Sequence, residues 1–207
     1  MDNLVITIGR HYGSGGLHIA KMVAERLGVK CYDKELLAVA AKSSGFCEEI
    51  FEQHDERPTN SFLYSLVMDT YSMGNSGGYL DMPLNQKVFL AQFEAIKKLA
   101  KEESCVIVGR CADYALEESD NRISVFITAD FDNRVDFAIN NLGINPTKAK
   151  DTVIKTDKKR ASYYNYYTNK KWGSSDSYDL CLNRSKIGFE GAVEAILNFV
   201  DLAKKNR

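Results

Sequence analysis

The stretch that most limits what this chain can fold into is LVITIGRHYGSGGLHIAKMVAERLG, Leu4 to Gly28. Val5, Ile6, Thr7 and Ile8 form a run of β-branched residues suited to a strand. Gly13, Gly15 and Gly16 then allow a turn that Cβ atoms would obstruct. Apolar residues at helical spacing (Ile19, Ala20, Val23, Ala24, Leu27) follow at once. A strand that is apolar at almost every position is covered on both faces, which points to a parallel sheet between helical layers. The turn has a second consequence. Unpaired N–H groups at a helix start converge on one point, where the helix dipole adds positive potential. Gly13, Gly15 and Gly16 let the backbone wrap an anion there, and Ser14 adds a hydroxyl. Phosphate is therefore expected along Arg10, His11, Tyr12, Gly13, Ser14, Gly15, Gly16 and Leu17. A ligand-free strand–helix turn needs the same glycines, so the loop alone leaves both readings open.

The rest of the chain repeats the pattern. Apolar runs at 29–32, 105–109, 123–128 and 178–182 alternate with helical patterns at 16–27, 34–42, 61–72, 84–102, 130–141, 147–168 and 190–204. This predicts an α/β fold, a three-layer doubly wound parallel sheet of about five strands, with the turns after each strand along one ligand-binding edge. One domain is expected over 1–207. The interval 43–86 contains no strand candidate, and it includes the glycine-rich MGNSGGYLDMP at 73–83. It reads as inserted helices that either cover the acceptor side or decorate the periphery.

Composition excludes several classes. The chain is 44% hydrophobic and 27% charged, as in an ordinary globular protein, and no apolar run reaches the ~18 residues a membrane helix needs. The polar N-terminus gives no signal peptide, and five scattered cysteines without CxxC spacing predict buried thiols in a reducing cytoplasm. A net charge of −1 argues against a general nucleic-acid binder. Between Thr147 and Trp172, however, eight Lys/Arg face two Asp, a basic stripe suited to a small anionic ligand. Tyr163, Tyr164, Tyr166, Tyr167 and Trp172 interleave with it, either to stack on single-stranded nucleic acid or to pack back on the core.

These features, in order, resemble the cytidylate kinase-like family of P-loop proteins. The resemblance is carried by ITIGRHYGSGG (6–16), AERLGVKCYDKELL (24–37), VIVGRCADY (106–114), VFITADFDNR (125–134), DKKR (157–160) and YDLCLN (178–183). It implies a P-loop kinase fold with a helical lid at 147–172, ATP or another nucleoside triphosphate as donor, Mg²⁺, and a nucleoside monophosphate or similar small acceptor. In the classical P-loop a lysine followed by Ser or Thr serves the transferring phosphoryl group. Here Gly16 and Leu17 stand in that place. The branch resembled here itself favours GR–YGSGG. The missing cation is then sought at Arg10, whose charge is permanent, or at His11 or Lys34; Lys21 lies more than a turn into the helix and is expected to be too remote.

The resemblance also implies roles further along the chain. Asp33, at the end of the second strand, accepts the acceptor's proton or holds Mg²⁺ through water; an N-cap is the alternative. Gly109-Arg110 matches a GR motif whose arginine contacts the substrate phosphate, with Asp113 as its partner or as a metal-shell acid. Val108 replaces the motif's aspartate, and Lys34-Glu35-Leu36-Leu37 replaces the segment that holds CMP, so a cytidine preference does not carry over. Asp157 and Arg160 fall on the lid's D-x-x-R, where the arginine closes over phosphates; a surface ion pair is the bland alternative. Arg134 matches an arginine that is structural or adenine-side. Three functions follow: a kinase of nucleoside monophosphates, a nucleotide-binding regulator without turnover, or a kinase of another acceptor.

Overall fold

The computed structural model describes residues 3–44, 49 and 82–206. Five strands form one wholly parallel sheet: β1 (Val5–Arg10), β2 (Lys30–Tyr32), β3 (Cys105–Val108), β4 (Arg122–Thr128) and β5 (Leu180–Asn183). Their order is β2-β3-β1-β4-β5, with β1 paired to β3 from Val5↔Cys105 and to β4 from Val5↔Arg122. Among the described residues the α-helices are α1 (Gly16–Leu27), α2 (Glu35–Ser44), α3 (Leu84–Glu102), α4 (Ala112–Ala115), α5 (Phe131–Leu142), α6 (Pro146–Thr168) and α7 (Arg184–Lys205).

Alternation along the central strands builds the three layers. Val5, Cys105 and Ile107 face a core shared with Leu36, Val88, Ile96 and Leu99 of α2 and α3. Ile6, Ile8, Val106, Val108, Val125 and Ile127 face the other way, onto Ile19 and Val23 of α1 and Val193 and Ile196 of α7. The expected doubly wound sheet is thus observed. Burial on both faces accounts for the unbroken apolar runs that mark these strands in the sequence.

The aromatic residues of α6 turn inward. Tyr163, Tyr164 and Tyr167 are buried with Phe89, Phe126 and Tyr178, and Tyr167 stacks on Phe89 with ring centroids 3.9 Å apart. That geometry favours packing onto the core over stacking on nucleic acid. Most bounds shift by one or two residues, and two helices depart further from expectation. Helix α4, four residues long, is too short to give a periodic signal. Helix α7 starts at Arg184 rather than 190, because Asn183 caps it and a non-helical Gly188 (φ 70°, ψ −171°) divides it.

The expectation of buried thiols needs one correction. Cys105 and Cys111 are buried and Cys31 half-buried, but Cys181 on edge strand β5 is exposed. Burial pushes the Cys31 thiol up to about 11 and that of Cys105 up to about 12, so neither is a nucleophile at neutral pH. The expected helix at 61–72, Cys47 and most of 43–86 lie outside the described residues. Among those described, no helix is long and apolar enough to cross a membrane.

Candidate functional site

The strand–turn–helix at 5–27 is present, and its glycines are held from outside. Gly13 and Gly15 have φ of 76° and 75°, the left-handed region that glycine adopts freely. A Cβ on Gly13 would lie 2.2 Å from the Arg134 carbonyl oxygen, and one on Gly15 would lie 2.5 Å from the Phe189 ring. Arg184 Nε donates to the Ser14 carbonyl at 2.7 Å. Ser14 folds the loop instead of facing an anion. Fully buried, its hydroxyl donates to the His11 carbonyl (2.8 Å) and accepts from the Gly16 amide (3.3 Å).

His11 likewise points inward. Its Nδ1 lies 2.8 Å from Thr128 Oγ1, and the ring meets Phe126 and Trp172 edge-on. Burial lowers its pKa, so the ring is neutral near pH 7 and supplies no cation. Among the described residues, the Gly13, Gly15, Leu17 and His18 amides meet no protein acceptor, which leaves a set of donors around the helix start. They border a cavity of about 310 Å³ whose wall includes Arg10, Lys21, Asp33, Phe137 and Arg160, a size that suits a small-molecule ligand.

Helix α6 lies across this loop. Asp157 Oδ1 accepts the Tyr12 amide at 2.7 Å, and its other oxygen pairs with Arg134 of α5. Arg160 NH1 donates to the Arg10 carbonyl at 3.2 Å, and its guanidinium stands 5.8 Å from the Tyr12 ring centroid. Asp157 is therefore an anchor of α6 on the loop, and its hydrogen bonds run to protein groups. Asp157→Ala is expected to cost about 2 kcal/mol, the worth of charge-assisted bonds lost at a half-buried site, measured by urea denaturation.

The neighbouring edge holds Arg110. Gly109, Arg110 and Cys111 have successive φ of 76°, 53° and 55°. Non-glycine residues there carry strain of about 1–2 kcal/mol each, and such strain gathers at functional sites. The turn sends the buried Arg110 guanidinium across to the end of β2: NH1 donates to the Asp33 carbonyl at 2.7 Å and lies 3.4 Å from Asp33 Oδ1. Asp33 thus faces Arg110 and the cavity, while the Glu35 carboxylate takes the Asp33 amide at 3.2 Å. No group of three or more metal-ligating side chains occurs among the described residues. Magnesium held mainly by phosphates and water needs only one or two carboxylates, and Asp33 on the cavity wall fits that requirement.

Beyond Arg110 lies Asp113, 7% exposed, with the Tyr164 hydroxyl donating to its Oδ2 at 2.6 Å. The two enclose, with Arg10, Arg110, Arg160 and Tyr178, a cavity of about 20 Å³, room for one water. Burial holds the Asp113 carboxyl above the ordinary carboxylate range. The native state then keeps a proton that the unfolded chain has released, so this group's contribution to stability falls as pH rises from about 4. Asp113→Asn removes that dependence. The unfolding-temperature difference between wild type and variant is expected to move in the variant's favour between pH 4 and 7.

The structure brings together Arg10, the loop glycines, Leu17, Asp33 and Arg160 on one cavity, with Arg110 hydrogen-bonded to Asp33. Two lysines exchange places relative to expectation. Lys34 is exposed and absent from the cavity wall, whereas Lys21 lines it, following Leu17 by one helical turn on the same face. Arg184, which fixes the Ser14 carbonyl, carried no sequence signal beyond its place after β5.

Known proteins match this architecture along its length. The profile of the Cytidylate kinase-like family matches residues 5–186. The cytidylate kinases of Archaeoglobus fulgidus and Pyrococcus horikoshii are each 26% identical, over 96% and 97% of this chain and 96% and 90% of their own lengths. An uncharacterized protein from Eubacterium ventriosum has a solved structure that aligns with a TM-score of 0.70 at 30% identity, covering 96% of this chain and 99% of that one. Shikimate kinase from Acinetobacter baumannii, in complex with shikimate, shares the fold at a TM-score of 0.51 and 10% identity, covering 99% of this chain and 96% of its own. The loop, the strained GR turn and Arg160 thus sit in a matched framework, and the chain belongs to the cytidylate kinase-like family.

Proposed function

We propose that this protein is a nucleotide kinase that moves the γ-phosphate of ATP to a nucleoside monophosphate or a similar small acceptor, with Mg²⁺. The observation that carries this reading is the convergence of unpaired loop amides, Arg10, Asp33 and Arg160 on one cavity, with Arg110 clasped to Asp33 behind it. The amides hold the donor's phosphates at the helix start. Arg110, buried behind Asp33 and bonded to its carbonyl, fixes the end of β2 on the acceptor side of the cavity. An acceptor oxygen then bonds to the γ-phosphorus as the β–γ bridge bond breaks, and ADP leaves. Asp33 takes the acceptor's proton where one is carried. Arg160 stabilises the charge that spreads over the moving oxygens. Bound magnesium would neutralise donor phosphate charge, and holding it through water is the alternative role for Asp33 where it does not serve as the base.

Family membership and the cytidylate kinase relatives support a nucleotide kinase. The base of the acceptor is left wider than cytosine, since Val108 stands where the family motif carries aspartate. One observation favours a second reading, a nucleotide-binding regulator without turnover: the Asp157 carboxylate already occupies the Tyr12 amide of the loop.

The test is ADP formation from ATP across a panel of nucleoside monophosphates, with ATP binding followed in parallel by calorimetry. Turnover with a monophosphate supports the kinase. Binding of ATP with no turnover on any acceptor supports the regulator. ATP-dependent turnover on small hydroxyl acceptors alone removes the nucleotide part of the proposal.

A further inference from the structure

The P-loop pattern G-x-x-x-x-G-K places its first glycine six residues before its lysine. Counted back from Gly16, that first position is Arg10. The two residue types stand in exchanged slots, and the structure gives the reason. A Cβ on Gly16 would lie 2.6 Å from Arg10 Cβ, closer than real Cβ atoms approach, and a tight 3.1 Å from Arg10 Cγ. Gly16 itself sits inside helix α1 and is not among the positive-φ residues, so its backbone accepts any side chain. What forbids a side chain at 16 is the stem of Arg10. The two slots share one volume, and one long residue fills it.

Arg10 is also placed where a cation is needed. It lines both the cavity along the loop and the small cavity against Arg110 and Asp113. It closes strand β1, paired to Ile127, and its carbonyl is held by Arg160 of the lid. We infer that Arg10 is the cation of this phosphate loop, delivered from the end of the strand instead of the start of the helix, and that it binds the terminal phosphates of the nucleoside triphosphate. This rests on the reading of the loop as a nucleotide site. It adds that Arg10 and Gly16 are a reciprocal pair, and that the lid fixes the cation's backbone. The planar guanidinium can donate two parallel hydrogen bonds to phosphate oxygens, where a lysine ammonium acts as a compact point charge.

The experiment uses the full chain with Arg10→Met, Gly16→Lys and the double variant Arg10→Gly/Gly16→Lys. Unfolding temperature reports folding, and calorimetry with ATP, tripolyphosphate and adenosine reports binding. Arg10→Met keeps the stem and removes the charge. It is expected to weaken ATP and tripolyphosphate roughly tenfold to a hundredfold with adenosine affinity unchanged, while the variant still unfolds in one cooperative transition. Gly16→Lys alone is expected to lose both stability and ATP affinity, although it restores a P-loop lysine. The double variant is expected to regain ATP affinity to within a few-fold of wild type.

Arg10→Met that binds ATP and tripolyphosphate like wild type overturns the inference, as does Gly16→Lys that is neutral with Arg10 present. The parent reading fails separately. Arg10-dependent ATP binding with no turnover on any acceptor refutes the kinase and leaves the cation assignment standing. Turnover indifferent to Arg10 does the reverse.

Discussion

Arg160→Ala is expected to lower kcat for phosphoryl transfer by about a thousandfold, the lower end of what an arginine at the transferring group supplies. The ground-state geometry explains why the loss falls on kcat more than on ATP affinity. Arg160 bonds the Arg10 carbonyl and lines both cavities, so it stands between the glycine loop and the Arg110 side. A charge held there gains most when negative charge spreads over the transferring oxygens. The fold is expected to survive, because Asp157 still ties α6 to the Tyr12 amide and to Arg134. Steady-state kinetics with a parallel unfolding scan check this. A kcat within a few-fold of wild type would remove Arg160 from the chemistry.

Gly13→Ala is the largest expected loss of stability, roughly 3 kcal/mol or more. Two costs combine. Alanine at φ 76° is strained by about 1–2 kcal/mol. The new methyl would also sit 2.2 Å from the Arg134 carbonyl oxygen and 2.9 Å from its carbonyl carbon, both backbone atoms that cannot swing aside. Relief requires α5 to move, and Arg134 of α5 holds Asp157 of α6, so phosphate binding is expected to fall with stability. Gly28→Ala is the control. Gly28 has φ 66° but nothing within 4 Å of its added Cβ, so only the strain of about 1 kcal/mol remains. Urea denaturation of the two variants separates conformational strain from steric conflict, and equal losses would show that the loop is not clamped by α5.

The parts of the fold legible in the sequence were those with dense local signals. The helices at 16–27 and 84–102 match their observed bounds, since glycines and Pro83 mark their starts and apolar spacing runs to their ends. The start of α7 was hidden because Gly188 breaks the periodicity, although Asn183, which caps it, was there to be read. Within the site, spacing in the chain gave position but not direction. His11 and Ser14 lie in the loop as expected, yet both side chains turn inward to protein partners. The choice between Lys21 and Lys34 depended on which way the α1 face looks, which only the assembled layers decide. The Arg134–Asp157 pair joins two helices across 23 positions, beyond any periodic signal. Gly16 was visible as a missing lysine, but the cause was not, because the crowding by Arg10 exists only once β1 and α1 are folded together.

On the proposed function, a phosphate loop without its lysine still supports transfer between nucleotides. The most direct measurement follows the label from γ-labelled ATP in the presence of each nucleoside monophosphate. Label recovered in a nucleoside diphosphate, at a rate that collapses in Arg160→Ala, is the predicted result. Label that stays in ATP with every monophosphate, or appears only as inorganic phosphate, would contradict it.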